Sequence, residues 1–161
     1  MKNSDGKSRE SPCKKSYIIF LPNFLNRDWL IARLQVEKAF STRFEVYESG
    51  EILKFDRPCA WKDSVYEIEK KNDCVGTIKF VLFQDKSGGE GWRVQAVSVD
   101  AGSFSNRKSL KKEWRGISQE DFAKISGMPD VVFCHGAGFI GGARSYESAL
   151  KMAVLSLQEE S

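Results

Sequence analysis

The sequence carries, at residues 131–145, the segment VVFCHGAGFIGGARS. A short apolar run ends in His135, the only histidine of the protein, and four glycines follow before Arg144 and Ser145. Apolar residues then recur at helical spacing from Tyr146 to Leu157. This order predicts a strand, a glycine loop and a helix start at the C-terminal end of the chain.

The predicted corner between strand and helix has the chemistry of an anion site. Glycines reach backbone angles that other residues avoid, so successive N–H groups can turn toward one point. The N–H groups at the start of the helix add positive partial charge, and Arg144 would add a forked, permanently charged donor. The same glycines can also serve only a tight turn or a close helix–sheet contact, and neither GxGxxG nor GxxxxGKS/T is present.

Length and charge limit the class of protein. With 161 residues the chain fits one domain that can bury a core. Residues 1–16 hold five of the 25 Lys and Arg and two of the 22 Asp and Glu, so the remainder carries 20 of each sign. We therefore expect a disordered polar tail at 1–16 and a single α+β domain at 17–161. A basic footprint covering a whole nucleic-acid-binding domain is not expected.

Cysteine and hydropathy patterns exclude further classes. The four cysteines form no CxxC pair and accompany a single histidine, so spacing assembles no zinc site, and free thiols are expected. No apolar run approaches the roughly 20 residues needed to cross a bilayer, and the start lacks the apolar core of a secretory signal. We expect an intracellular protein with no cofactor held by this chain and no membrane partner.

Helical and strand patterns predict an α+β fold with a mixed, largely antiparallel sheet covered by helices. The predicted strands are rich in β-branched and aromatic residues, and glycine or proline closes most elements. Before the C-terminal strand, loop and helix, the predicted elements are an edge strand at 17–21, a helix with Trp29, Ala32, Val36 and Phe40 in the core, a hairpin of 44–47 with 52–55, a short helix at 61–69, strands at 75–83 and 92–99 joined by a turn at 86–91, and a helix from Ser118 to Gly127.

Two segments with cations are candidates for ligand contact. In the strand at 92–99, one face offers Arg93 and Gln95 to solvent or to a ligand. In the polar segment 101–116, Phe104 and Trp114 lie among five Lys and Arg. Single-stranded nucleic acid needs this combination, because rings stack on bases while cations meet phosphates. The alternative, which composition favours, is a solvated basic loop held by two aromatic anchors.

Several short motifs follow one another in the order WRVQAV at 92–97, WRG at 114–116, ISGMP at 125–129 and HGAGFIGG at 135–142. Together with DWLIAR at 28–33 and CAWK at 59–62, they resemble the C-terminal half of the Myg-type exonucleases, which are related to the DHH phosphoesterases. The resemblance runs from about residue 28 to the end of the chain, and the motifs are specific as a group.

The resemblance implies a two-part, metal-dependent 3′ to 5′ RNA exonuclease. The N-terminal half of such proteins carries the His and Asp clusters that bind divalent metal, Mn or Mg. The C-terminal half presents its glycine loop to the nucleic acid. This chain would correspond to the second half, so by itself it would not cleave phosphodiester bonds. Mitochondrial or nuclear location is implied by the same resemblance, and a cytoplasmic one is expected otherwise.

The resemblance and the glycine loop together assign residues and partners. Single-stranded RNA or a nucleotide would bind here, and a metal-bearing N-terminal half would act in cis or in trans. The assigned residues are His135, Gly138, Gly141, Gly142 and Arg144 at a phosphate corner, with Arg93 and Arg115 nearby as charge partners.

Two alternatives belong to other classes. In the first, the chain is a non-catalytic interaction module or gene remnant that binds no nucleic acid. In the second, Cys134 and His135 form a nucleophilic enzyme site. The second is disfavoured because adjacent strand residues point to opposite faces.

Overall fold

The computed structural model of the chain describes residues 23–85 and 91–160. Within this part, helices pack against a five-stranded sheet, which confirms the predicted α+β class. The predicted tail at 1–16, the strand at 17–21 and the turn residues 86–90 lie outside the described residues. The elements are α1 (Asn23–Ser41), α2 (Arg43–Val46), β1 (Ile52–Phe55), α3 (Lys62–Lys71), β2 (Phe80–Asp85), β3 (Gly91–Ala96), a 3₁₀ turn (Lys112–Trp114), α4 (Gln119–Ser126), β4 (Val131–Cys134), β5 (Ile140–Ala143) and α5 (Tyr146–Gln158).

The sheet is mixed and largely antiparallel, as predicted. Its strand order is β1-β2-β3-β5-β4, with β1 parallel to β2 and the other neighbours antiparallel. The outer edge of β4 is occupied by groups of the same chain. The Gln119 side-chain amide donates to the Val131 carbonyl over 3.0 Å, and the Gly116 N–H donates to the Cys134 carbonyl over 2.9 Å.

Side chains alternate between the two sides of the sheet and form two cores. On one side α4 and α5 pack over the sheet, around buried residues that include Phe80, Val94 and Phe122. On the other side α1 and α3 pack over β1 and β2. Among the described helices, those that pack on β4 and β5 lie on the first side. No described helix between residues 23 and 160 packs on the second side of β3, β5 and β4, and we call this side the open sheet face, defined by Arg93, Gln95, Phe133, Ile140 and His135.

The predicted helix signals are confirmed at α4. The Ser118 hydroxyl accepts from the Asp121 N–H over 3.2 Å, and Gly127 ends the helix in the left-handed conformation with φ 68°. In α1, Val36 is buried as predicted, but Trp29 is 46% exposed, so its assignment to the core is wrong. The buried residues of α1 begin at Ala32, because only its later turns pack on β1 and α3.

The predicted hairpin of 44–47 with 52–55 is wrong. Residues 43–46 form the short helix α2, and β1 pairs in parallel with β2. Val46 and Tyr47 pack at the margin of the first core, where the aromatic and β-branched pattern serves burial and not strand pairing. The real partner of β1 lies about 28 residues away in the sequence, so no local turn signal reports it.

Candidate functional site

The glycine loop is a hairpin between two strands. Residues 135–139 join β4 to β5, and the Gly138 N–H donates to the His135 carbonyl over 2.8 Å. The His135 N–H donates to the Ile140 carbonyl over 2.9 Å, which extends the antiparallel pairing. The structure thus differs from the predicted direct passage into a helix, because β5 intervenes. Glycines at 141 and 142 carry no side chains that could reveal a strand's alternation.

His135 is exposed, and two contacts orient its imidazole. The Ala137 N–H donates to Nδ1 over 3.1 Å, and the Phe139 ring lies 4.7 Å from the imidazole centroid. Because Nδ1 accepts a hydrogen bond, the proton of the neutral ring is assigned to Nε2. The imidazole therefore offers an oriented N–H donor at the rim of the open sheet face.

Arg115 packs directly against this hairpin. Its Nε and Nη2 donate to the Leu110 carbonyl over 2.8 and 2.5 Å, while the Leu110 N–H donates to the Gly138 carbonyl over 2.9 Å. Gly138 has φ +70°, and a Cβ there would lie 2.5 Å from the Arg115 Nε. The structure thus brings His135, Gly138 and Arg115 together, and Arg115 needs the glycine to reach its position.

Gly142 and Arg93 meet in the middle of the open sheet face. A Cβ on Gly142 would lie 2.8 Å from Arg93 Nη1 and 2.9 Å from the Phe133 ring. The Arg93 guanidinium lies 5.4 Å from the Phe133 ring centroid and 3.2 Å from an Asp85 carboxylate oxygen. Gly142 therefore provides room for a cation on the sheet beside an aromatic ring.

The remaining predicted residues lie elsewhere. Gly141 faces the first core, where its missing Cβ would lie 2.6 Å from the Met152 methyl carbon and 3.0 Å from Leu110. Arg144 is exposed at the other end of β5 from the hairpin. The seven predicted residues are thus not gathered at one corner. His135, Gly138 and Arg115 form one group, Arg93 and Gly142 another, and Gly141 and Arg144 belong to neither.

The start of α5 is filled by a carboxylate of the protein itself. Asp130 accepts hydrogen bonds from the Ser145 N–H over 2.9 Å and from the hydroxyls of Ser145 and Ser148. Burial raises the pKa of Asp130, but these hydrogen bonds outweigh burial, so its pKa lies below the ordinary value. The Ser145 hydroxyl also accepts from the Ser148 N–H. Sequence reasoning missed this internal anion, although Asp and Ser near a helix start are its usual signal.

His135 and Gln95 share the open sheet face. Gln95 pairs with Ile140, and the His135 N–H donates to the Ile140 carbonyl. Laterally paired residues in an antiparallel sheet point to the same side, so these three side chains share a face. His135 is two strand spacings from Gln95, or about 10 Å. Sequence reasoning noted Gln95 but could not place it beside the hairpin, because β3 and β5 are distant in the chain.

The basic segment 101–116 is mostly paired with the protein itself. Arg107 donates to the buried Glu69 carboxylate over 2.7 and 2.8 Å, and Lys111 lies 3.1 Å from Glu113. Trp114 is buried against Phe122, with ring centroids 5.5 Å apart. The alternative of a loop with an aromatic anchor is confirmed for Trp114. It is wrong for Phe104, which is fully exposed.

The structure contradicts a Cys134–His135 nucleophilic pair. Cys134 is buried in the first core, whereas His135 is exposed on the open sheet face. Burial raises the pKa of the Cys134 thiol to about 11, against a smaller lowering by the nearby Arg115 charge. The thiol is therefore protonated at neutral pH and has no access to the imidazole.

The described residues contain neither a cluster of metal ligands nor a helix suited to a membrane. Across 23–85 and 91–160, no three His, Cys, Asp or Glu side chains cluster closely enough to hold a metal ion. Over the same residues, none of the helices combines the length and apolar character required to traverse a bilayer.

Comparison with known proteins gives a consistent set of matches. A family model named MYG1_exonuc and described as "Uncharacterised protein family (UPF0160)" matches residues 16–157. The MYG1 protein of Dictyostelium discoideum is 42% identical over 143 residues, which cover 89% of this chain and 43% of that protein. The MYG1 exonuclease of Bos taurus is 38% identical over 164 residues, covering 98% of this chain and 42% of its own length.

A human relative agrees with these matches. The MYG1 exonuclease of Homo sapiens is 39% identical over 140 residues, covering 86% of this chain and 37% of its own length. The chain thus spans about two fifths of the length of these curated relatives. No solved structure gives a significant match.

Proposed function

The chain belongs to the MYG1_exonuc family, and from this premise we propose that it is the nucleic-acid-binding part of a metal-dependent 3′ to 5′ RNA exonuclease of the DHH type. In this proposal it holds single-stranded RNA or a nucleotide on the open sheet face. A metal-bearing part, in cis or in trans, cleaves the terminal phosphodiester bond. A mitochondrial or nuclear location belongs to the same proposal.

One observation carries the proposal: oriented donors and aromatic rings share a sheet face that the described helices leave uncovered. His135 offers the Nε2–H, and Arg93 offers a guanidinium that lies beside Phe133 and Asp85. Donors of this kind meet phosphate oxygens, and rings such as those of Phe133 and Phe139 stack on unpaired bases. Because the cations are few and local, binding should depend on geometry more than on total charge.

The metal would come from outside this part of the chain. Among the described residues no three His, Cys, Asp or Glu side chains lie close enough together to hold a divalent ion, which supports placing Mn or Mg on another part. The relatives are more than twice as long as the matched region, which leaves room in them for a separate metal-bearing part. Within the proposal, this chain only binds and orients the strand.

Binding of short single-stranded RNA to the whole chain at low salt tests the proposal. His135→Ala removes an exposed donor without touching a core, so we expect normal folding and an affinity at least about fivefold weaker. The matched control is Lys124→Ala, because Lys124 is exposed on α4, which packs on the other side of the sheet. No binding by the wild-type chain, or equal binding by His135→Ala and wild type, would contradict the proposal.

A nuclease assay with manganese tests whether binding and cleavage reside in different parts of the enzyme. We expect no cleavage by this chain alone, and cleavage after mixing with the metal-bearing N-terminal part of a relative. His135→Ala should weaken cleavage in the mixture, whereas Lys124→Ala should not. Cleavage by the purified chain alone would show that the metal site lies within it and would refute the assignment of cleavage to a separate part.

A second candidate function is a non-catalytic interaction module. It is favoured by exposed apolar residues in the first half of α1: Leu30, Ile31 and Leu34 are 48–57% exposed and lie within an arc of about 100° around the helix. Apolar residues grouped in this way often mark a protein contact. The two candidates are separated by the RNA-binding experiment, since a pure interaction module would bind no RNA and would be insensitive to His135→Ala.

A further inference from the structure

A cavity opens beside the open sheet face, where α3 begins. It has a volume of about 340 Å³ and is lined by residues 58–63 together with Phe83 and Gln95. Residues 59–62 are the CAWK motif, which the proposed function leaves without a role. The volume is at the lower end of small-molecule sites, so it suits one planar group of nucleobase size better than a longer ligand.

The lining of the cavity is uncharged inside. Two aromatic residues, Phe83 and the buried Trp61, are among those that line it. Burial raises the pKa of the Cys59 thiol to about 11, so this wall carries no charge at neutral pH. Lys62 and Asp63 are exposed and oppose one another in charge at the rim. A neutral aromatic ligand therefore matches this lining better than a phosphate does.

Gln95 supplies the cavity with a neutral side chain that can form directional hydrogen bonds. Its amide carries two N–H donors and a carbonyl acceptor. None of the described residues forms a hydrogen bond with this side chain. Such an amide can hydrogen-bond the donor and acceptor edge of a base, and the adjacent Phe83 ring can stack on its face. Both contacts come from neighbouring strands, since Phe83 is on β2 and Gln95 on β3.

The cavity lies within one nucleotide's reach of the donors already described. Gln95 is two strand spacings from His135, or about 10 Å, and Arg93 is two residues away on the same face of β3. A nucleotide with its base beside Gln95 would therefore have both donors within about 10 Å of that base.

We infer that this cavity is a base-binding pocket for one nucleotide of the bound strand, in which Phe83 stacks on the base and Gln95 reads its edge. The inference rests on the proposed function and adds to it a source of base preference. Arg93 and His135 then contact the backbone, which is the same in every nucleotide. Base preference and overall affinity are thus assigned to different residues.

Two measurements on the whole chain test the inference. In the first, adenosine, cytidine and uridine, which lack phosphate, are titrated into the isotope-labelled wild-type protein. Backbone amide signals of Ala60, Phe83 and Gln95 should shift for at least one nucleoside, while that of Gln158 at the end of α5 should not. This measurement needs no variant, so it does not depend on how substitutions affect folding.

The second measurement compares the affinity of short A, C and U homopolymers for variants. Gln95→Leu keeps the size of the side chain but removes its hydrogen bonds, so the preferred homopolymer should lose at least about fivefold in affinity and approach the others. His135→Ala should instead weaken all three by a similar factor. Gln158→Leu, at an exposed position remote from the cavity, is the matched control and should retain the wild-type ratios.

The outcomes separate the inference from the proposed function. Wild-type RNA binding with unchanged homopolymer ratios in Gln95→Leu and no nucleoside shifts at the cavity would overturn the inference alone. Such a result would leave the cavity to another occupant, such as the metal-bearing part. No RNA binding by the wild-type chain would overturn both.

Discussion

Gly138→Ala tests whether the hairpin and Arg115 form one packed unit. The substitution adds a Cβ at a left-handed position with φ +70°, which costs about 1–2 kcal/mol for a non-glycine residue. The new carbon would also lie 2.5 Å from the Arg115 Nε, so the guanidinium must move away from the Leu110 carbonyl. Losing charge-assisted bonds of this type costs about 1.5–3 kcal/mol. We therefore expect the free energy of unfolding to fall by about 2.5–5 kcal/mol.

Gly127→Ala separates the two contributions. Gly127 has nearly the same φ, 68°, but no heavy atom lies within 4 Å of its added Cβ among the described residues. This control should therefore lose only about 1–2 kcal/mol. Urea unfolding followed by circular dichroism gives both values, with equal dependence on denaturant as the check for two-state behaviour. Equal losses in the two variants would refute the argument that Arg115 depends on the glycine.

Two further predictions concern carboxylates that are bonded within the protein. Asp130→Asn should make unfolding less sensitive to acid. The pKa of Asp130 is lower in the folded than in the unfolded state, so the ionised carboxylate stabilises the fold. This stabilisation is complete above the unfolded-state pKa and is lost as the pH falls through the folded-state pKa. Thermal unfolding at a series of pH values below about pH 5 measures this. Glu69→Ala should lower the free energy of unfolding in urea by about 3–5 kcal/mol, because it leaves the Arg107 guanidinium buried without its partner.

Each of these predictions has a control in the chain. For Asp130, Asp56→Asn changes an exposed carboxylate and should leave the acid sensitivity of the wild type unaltered. For Glu69, the control is Glu67→Ala on the same helix, where an exposed pair with Arg33 is worth at most about 1 kcal/mol. A similar acid profile for Asp130→Asn and wild type, or similar losses for the two glutamates, would contradict the respective prediction.

Local signals in the sequence were sufficient for several elements of the fold. The Ser118 cap and the Gly127 stop define α4, and the apolar spacing after Ser145 defines α5, because both depend on residues close together in the chain. Strand pairing depends on distant residues. The parallel pairing of β1 with β2 left no local trace, and residues 44–47 therefore resembled half of a hairpin.

The candidate site was predictable in its residues more than in its arrangement. Gly138 contacts both His135 and Arg115, and the HGAGFIGG and WRG motifs pointed to these residues. The sequence could not show that Gly141 and Gly142 allow close packing inside a strand, because a glycine in a sheet cannot be told from a glycine in a loop by residue type alone. Nor could it show that Asp130 already fills the start of α5, since that contact joins residues on either side of the hairpin.

The occupied edge of β4 has a consequence for association between molecules. In an exposed edge strand, backbone carbonyl groups are free to pair with a strand of another molecule. In β4, the carbonyl groups of Val131 and Cys134 already accept hydrogen bonds from Gln119 and Gly116. A strand from another molecule would have to displace both donors before it could pair with β4, which disfavours the edge-to-edge association that builds fibrils. At this edge of the sheet, contacts with other macromolecules would therefore be made by side chains and not by backbone strand pairing.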